Sequence, residues 1–240
     1  MSGVLTPEGA TPGSPGALER VSRRFKLVWS ELGVGPHRLQ LPELADPSAY
    51  IDERISQGHY GLTELPYWTK LWPAAMVLAQ FALRLHKGEG PVLELGAGLG
   101  LPALVAAAGG RPVVITDLDP DALEFARAAA EKNGLGDLVE VSSLDWEAPD
   151  RELGVFSTIL GAEVLYHPPI YPTLVGLLGR LLAPGGTAFI SHQERPFAIA
   201  FFDLAQERFT VRRTTSRIGG GDEDEPVMVY LYALTAKQAA

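Results

Sequence analysis

Hydrophobic positions along this chain change their period several times between residues 60 and 236. In "WPAAMVLAQFALRLHKGEG" Ala74, Val77, Leu78, Phe81 and Leu85 recur at helical spacing, and Pro73 stands at a first-turn position where its missing N–H costs nothing. Gly88 and Gly90 stop that helix. The apolar run "PVLEL" then reads as a strand, followed by a glycine turn and a short Ala-rich helix ending at Gly109 and Gly110. "RPVVITDLD" predicts a buried strand. Asp119 caps the next helix, Pro120 opens it and Asn133-Gly134 closes it. "LVEVSSLDW" and "FSTILGAEVLY" are the third and fourth strands. Leu174, Leu177, Leu178, Leu181 and Leu182 mark a helix, and "APGG" turns the chain into a fifth strand, "TAFISHQE". A helix around Phe197 to Arg208 leads to two final strands, "FTVRRTTSRI" and "VMVYLYALT", joined by the turn "GGGDEDEP".

Strands alternating with helices for five rounds predict an α/β fold, doubly wound around a mostly parallel seven-stranded sheet. The last connection is too short for a helical crossover, so the final strand must run antiparallel in a hairpin. The first 70 residues are less clearly patterned. Residues 1–17, rich in Pro, Gly, Ser and Thr, predict a disordered tail. Ala17 to Leu32 reads as a helix ending near Gly33, "HRLQLPE" as a strand and "PSAYIDERIS" as a short helix. The expected division is thus a tail (1–17), an N-terminal extension (18–70) and the main domain (71–236).

Composition narrows the function classes. Cysteine is absent, which removes disulfides, thiolate metal sites and a cysteine nucleophile together, and fits a reducing cytoplasm; no metal site is expected. The net charge of −9 argues against a nucleic-acid partner and favours a basic, lysine-bearing one. The basic run Arg20, Arg23, Arg24 and Lys26 reads as a solvated helix face. The N-terminus lacks the pattern of a signal peptide, and no run of 18 apolar residues predicts a membrane span.

The glycine turn decides the ligand class. Gly96, Gly98 and Gly100 are spaced G-x-G-x-G, with Leu101 at the third position of the dinucleotide fingerprint, and no Gly-Lys-Ser/Thr phosphate loop exists. Glu94, two residues before the turn, would oppose a pyrophosphate but suits an ammonium group. Asp117, 21 residues after Gly96, stands where an acid accepts from ribose hydroxyls. A ribose, an amino-acid ammonium and no phosphate together describe S-adenosyl-L-methionine.

"ELGAGLG", "TDLD", "LDW", "GAEVLY" and "LLAPGG" resemble the motifs of the seven-β-strand methyltransferases. "LPYWTKLWPAAMVLAQFAL" is similar to the nicotinamide N-methyltransferase-like branch, which contains many protein-lysine methyltransferases. The resemblance covers roughly residues 60–235. It implies Trp72 against the cofactor, Gly96, Ala97 and Gly98 along its methionine and ribose, and Asp117 on the ribose hydroxyls. It further implies Asp145 and Trp146 beside the adenine, and Ala162 near the sulfonium. The family's D-x-x-Y segment is Glu163-Val164-Leu165-Tyr166 here, one methylene longer at the acid. Glu163 is expected to stabilise positive charge on the acceptor nitrogen. Tyr166 is expected to close the pocket over an amine or to bond the backbone carrying it. His167 and His192 are weaker candidates for a base.

Three readings follow: a protein-lysine N-methyltransferase, a methyltransferase for a small amine or ring nitrogen, and a non-catalytic adenosylmethionine-binding protein. The first is preferred. The extension then caps the substrate side, and the acidic turn at Asp222, Glu223, Asp224 and Glu225 is expected on the cofactor edge, either as a solubilising turn or as an attraction for a basic protein surface. Oligomeric state is left open.

Overall fold

A computed structural model describes residues 15–59, 61, 65–85, 90–149, 153–219 and 225–237. The tail up to residue 14, Gly88, and Asp222, Glu223 and Asp224 of the acidic turn lie outside the described residues. The chain opens with helix α1 (Ala17–Arg24), the hairpin of β1 (Leu27–Val34) and β2 (His37–Leu44), and helix α2 (Pro47–Ser56). The strand and short helix expected after residue 36 are present, but the helix expected to reach Leu32 stops at Arg24. Pairing is the reason. From Leu27↔Leu44 to Val34↔His37 the two strands form an unbroken antiparallel ladder. Val28, Trp29 and Val34 suit a pleated, half-buried surface better than a helix. Asp46 caps α2, its carboxylate accepting from Ala49 N.

The extension packs onto helix α5 (Pro120–Lys132) of the main body, and Val34, Leu39 and Leu41 of its hairpin also join the core around residues 78–82 and 101–107. Ala17, Val21 and Leu44 share a core with Trp68, Ala122, Phe125 and Ala128. Arg20 Nε donates to Glu124 at 2.8 Å, Arg24 pairs with Asp121, and the Tyr50 hydroxyl donates to the same Asp121 carboxylate at 2.8 Å. Arg23 pairs with Glu19 along its own helix. Three of the four members of the basic run are therefore spent on acids, and no open cationic patch remains there.

The main body is a seven-stranded sheet built from β3 (Val92–Glu94), β4 (Val113–Asp117), β5 (Val139–Ser143), β6 (Phe156–Ala162), β7 (Leu182–Gln193), β8 (Phe209–Ile218) and β9 (Val227–Ala236). Their spatial order is β5-β4-β3-β6-β7-β9-β8. β3 to β7 pair in parallel, while β9 opposes both β7 and β8, as the short last connection requires. β7 starts at Leu182, ahead of the expected Thr187, because "APGG" is absorbed as an irregularity in its pairing with β6. Helices α3 (Pro73–Ala82), α4 (Leu101–Ala108) and α5 pack on one side, against Val92, Val113, Ile115 and Leu160. Helices α6 (Tyr171–Leu181) and α7 (Ile199–Ala205) cover the other, against Leu93, Val114, Ile159 and Ile190. No helix among the described residues is long and apolar enough to cross a membrane. The strand order reverses between β3 and β6, so a crevice opens beyond their carboxyl ends, where ligands of such sheets bind.

Candidate active site

That crevice is a cavity of about 950 Å³, at the upper end of the range for small-molecule sites. It is built outward from the glycine turn. Ala97 N donates to Thr116 O and Gly100 N to Ala97 O, both at 2.9 Å, which ties the turn to β4. Gly98 has φ +54, and a Cβ there would lie 3.3 Å from Trp68 Cβ. A Cβ on Gly96 would lie 3.2 Å from Trp146 Cζ2. The turn thus presents bare backbone to the cavity between two tryptophans. Replacing Gly98 by Ala puts an L residue in the left-handed region at a cost of about 1–2 kcal/mol. We expect the melting temperature to fall by a few degrees and adenosylhomocysteine binding, measured by calorimetry, to weaken by about tenfold.

Asp117 closes the turn from the end of β4. Its Oδ2 accepts from Gly98 N at 2.8 Å and its Oδ1 from Asp119 N at 3.0 Å. Burial raises its pKa, opposed by those amide donors. Trp72, Gly96, Ala97, Gly98, Asp117, Asp145, Trp146, Ala162, Glu163 and Tyr166 all line this one cavity. Glu94 does not. It is 1% exposed and turns under α4, where Oε2 accepts from Ala103 N at 2.8 Å. An unpaired amide in the first helical turn attracts a carboxylate more directly than a ligand across the turn would. The expectation that Glu94 meets the cofactor's ammonium is corrected accordingly: it braces the turn from behind. Burial pushes its carboxyl up to about 8.

The opposite end of the cavity is aromatic. Tyr67, in the 3-10 turn Tyr67–Thr69, lies 5.3 Å from Tyr166 and 6.4 Å from Trp72 between ring centroids. Its carbonyl accepts from the Trp72 indole N–H at 2.8 Å, which fixes that indole. Burial raises the pKa of both tyrosines and keeps their hydroxyls protonated. Sequence reasoning assigned Tyr67 no role, although it sits inside the "LPYWTKLWP" segment. Lys70 Nζ lies 5.0 Å from the Trp72 ring centroid. Arg54 and His59 of the extension complete the wall on the Asp119 side.

Glu163 stands between the tyrosines and the sheet. Among the described residues it is the only non-glycine with positive φ, +56, a conformation that costs of order 1 kcal/mol. Its backbone N–H donates to Ser191 O at 2.8 Å, which pins the turn to β7. Its carboxylate is fully engaged: Oε1 accepts from Gln193 N at 2.8 Å, and Oε2 from Arg195 Nε at 2.9 Å and Nη2 at 2.7 Å. The acid expected to face the acceptor alone is therefore half of an ion pair. Arg195, the other half, also lines the cavity. The signal for it was "HQER" at the end of β7, since β7 neighbours β6 and brings its end beside Glu163. His192 does not serve as a base. It is 3% exposed, stacks on Phe202 and Tyr232, and does not line the cavity. His167 does line it.

These groups suit an adenosyl cofactor: bare turn backbone, one acid held at the ribose position, and an indole and a carboxylate beyond it. A family described as lysine methyltransferase matches residues 66–209. EEF1A lysine methyltransferase 3 of Mus musculus is 32% identical over 168 residues, covering 67% of this chain and 70% of that protein. Protein N-lysine methyltransferase METTL21A of Danio rerio is 40% identical over 120 residues, or 46% of this chain and 54% of the relative. Histone-arginine methyltransferase METTL23 of Mus musculus is 32% identical over 53% of this chain and 51% of its own. The chain spans about half the length of the last two. Among solved structures, P. horikoshii TYW2 in complex with MeSAdo superposes with a TM-score of 0.56 at 16% identity, covering 88% of this chain and 72% of that one, a likeness of fold. With the cavity at the reversal point of a seven-stranded sheet and a family match across most of that sheet, the chain belongs to the lysine methyltransferase family and is an S-adenosylmethionine-dependent methyltransferase.

Proposed function

We propose that the protein methylates the ε-amino group of a lysine in a protein substrate, and that it does so in the cytoplasm, as the absence of cysteine suggests. The carrying observation is the aromatic end of the cavity, where Tyr67, Tyr166 and Trp72 surround a space beside Glu163. Aromatic faces favour a cation such as an ammonium or its methylated product. The two tyrosine rings, 5.3 Å apart between centroids, form one aromatic wall along which a single long amine side chain would lie, with its backbone left outside. The names of the relatives support the same acceptor.

When bound, adenosylmethionine supplies a methyl group on a sulfonium, open to direct displacement by a nitrogen lone pair. The chain's own residues then have four tasks. Gly96, Ala97 and Gly98 hold the methionine and ribose portions through their backbone. Asp117 accepts from the ribose hydroxyls, while Asp145 and Trp146 flank the adenine. Trp72 and Ala162 set the depth at which the sulfonium sits. Tyr67 and Tyr166 align the amine and exclude water, which is where most of the rate gain of a displacement arises. Arg54 and His59 of the N-terminal extension form part of the wall over which the substrate enters.

Incubating the protein with tritiated adenosylmethionine and a lysate of its own organism tests the reading. We expect label in a protein band and, by mass spectrometry, a methyl group on a lysine. Label in a small metabolite, or on arginine, would overturn it.

A further inference from the structure

We propose that Arg195 sets the protonation balance of the acceptor amine by cancelling the charge of Glu163, and this rests on the lysine reading above. A lysine reaches the site as an ammonium with an ordinary pKa of about 10.4, and must lose a proton to solvent before its lone pair can form the new N–C bond as the S–C bond to the methyl group breaks. A bare carboxylate beside that ammonium favours the charged form and deepens the problem. Here the carboxylate is not bare. Glu163 Oε2 takes two N–H donors from the Arg195 guanidinium, and Oε1 takes the Gln193 amide.

Of the other groups around the pair, the tyrosines and His192 carry no charge at neutral pH, while the cavity is also lined by His167 and, on the cofactor side, by Asp117, which acts on Tyr166. Tyr67 faces Arg195 from the 3-10 turn and Tyr171 from α6, and burial raises the pKa of both. Tyr166, across from Tyr67, is likewise held neutral by burial. His192 on β7 is held neutral by burial, against the pull of its contact with the Gln193 carbonyl. Lys70 Nζ, beside Trp72, adds a second positive charge to the cavity wall. The ammonium therefore meets a neutral carboxylate–guanidinium pair at the acceptor end. Arg195 acts through Glu163, as a positioning residue. The longer side chain of Glu163 and its left-handed backbone bring its carboxylate to the end of β7, where Gln193 and Arg195 hold it.

The pH dependence of kcat separates this role from a structural one. The acceptor is the protein labelled in the lysate experiment, once purified. In the wild type kcat rises with pH as the bound amine loses its proton. Arg195→Gln is expected to move that limb upward by about one unit or more, giving at least a tenfold slower reaction near pH 7.5 that recovers on raising the pH. Arg195→Lys keeps the charge and is expected to hold the limb near its wild-type position. The double variant Glu163→Gln/Arg195→Gln leaves neither charge unpaired and is expected to return it there, which keeps the test open if Arg195→Gln does not fold. Adenosylhomocysteine binding by calorimetry checks that the cofactor half is intact. A uniform loss of kcat at every pH, or an unmoved limb in Arg195→Gln, would overturn the proposal. A wild-type kcat with no alkaline-rising limb on a lysine acceptor would overturn it as well, whereas the lysine reading itself falls only if the labelled residue of the lysate experiment is not a lysine.

Discussion

Asp117→Ala is expected to weaken adenosylhomocysteine binding by about 100-fold, read by titration calorimetry. Two losses combine. In the proposed mechanism Asp117 accepts from the ribose hydroxyls, and in the structure it accepts from Gly98 N and Asp119 N. Removing a charged acceptor from a buried donor costs about 1–3 kcal/mol, and two such losses reach about 100-fold in affinity. Asp117→Asn keeps one oxygen for Gly98 N and is expected to fall between alanine and wild type. Binding within threefold of wild type in the alanine variant would remove Asp117 from the cofactor site.

Glu94→Gln is expected to change the pH dependence of stability rather than binding. The folded-state pKa of Glu94 is pushed up to about 8, mainly by burial, with the Ala103 amide lowering it and Asp117 adding to the rise. In the unfolded chain a glutamate titrates near 4.3. The folded protein therefore keeps a proton that the unfolded chain releases throughout that window. Stability contributed by this group is full below the unfolded value and is lost as the pH climbs to the folded one. The limiting slope is about 1.4 kcal/mol per pH unit, so about 3–4 kcal/mol are at stake between pH 5 and 8. In a chain this long, that corresponds to a fall in melting temperature of about 6–14 °C. Glutamine keeps an oxygen for the Ala103 amide and has no proton to lose. Thermal melts of the cofactor-free protein should show the wild-type decline across this range and a much flatter line for Glu94→Gln. Parallel lines would place the titration elsewhere.

The same residue marks the limit of what the sequence alone could show. Spacing located the turn and the acid at the end of β4, because each is set by distance along one strand–turn–helix unit, and the resemblance to the methyltransferases located the E-x-x-Y segment. Whether a strand-end carboxylate faces the ligand or the following helix depends on where α4 begins, and Glu94 followed the helix amide. Arg195 was hidden for a different reason: it is 32 positions from Glu163, and only the adjacency of β6 and β7 joins them. Tyr67 needed the 3-10 turn that brings its ring beside Tyr166 and its carbonyl onto the Trp72 indole. The hairpin at Leu27 to Leu44 was misjudged because mixed apolar positions in "FKLVWSELGV" satisfy a helical period as well, and only the partner strand settles the choice.

One consequence of the sheet order concerns how the protein is made. β9 comes last in sequence among the described strands, yet it sits inside the sheet, joining β8 to the rest and covering the exposed side of β7. Until residues 227–236 leave the ribosome, β7 has an open edge and β8 has nothing to pair with. The half of the sheet that carries the glycine turn assembles early from parallel neighbours, whereas the half beside Gln193 and Arg195 waits for the final strand. A nascent chain would thus present a bare β7 edge for other strands to capture, and chaperones that shield such edges should matter most until β9 has been made.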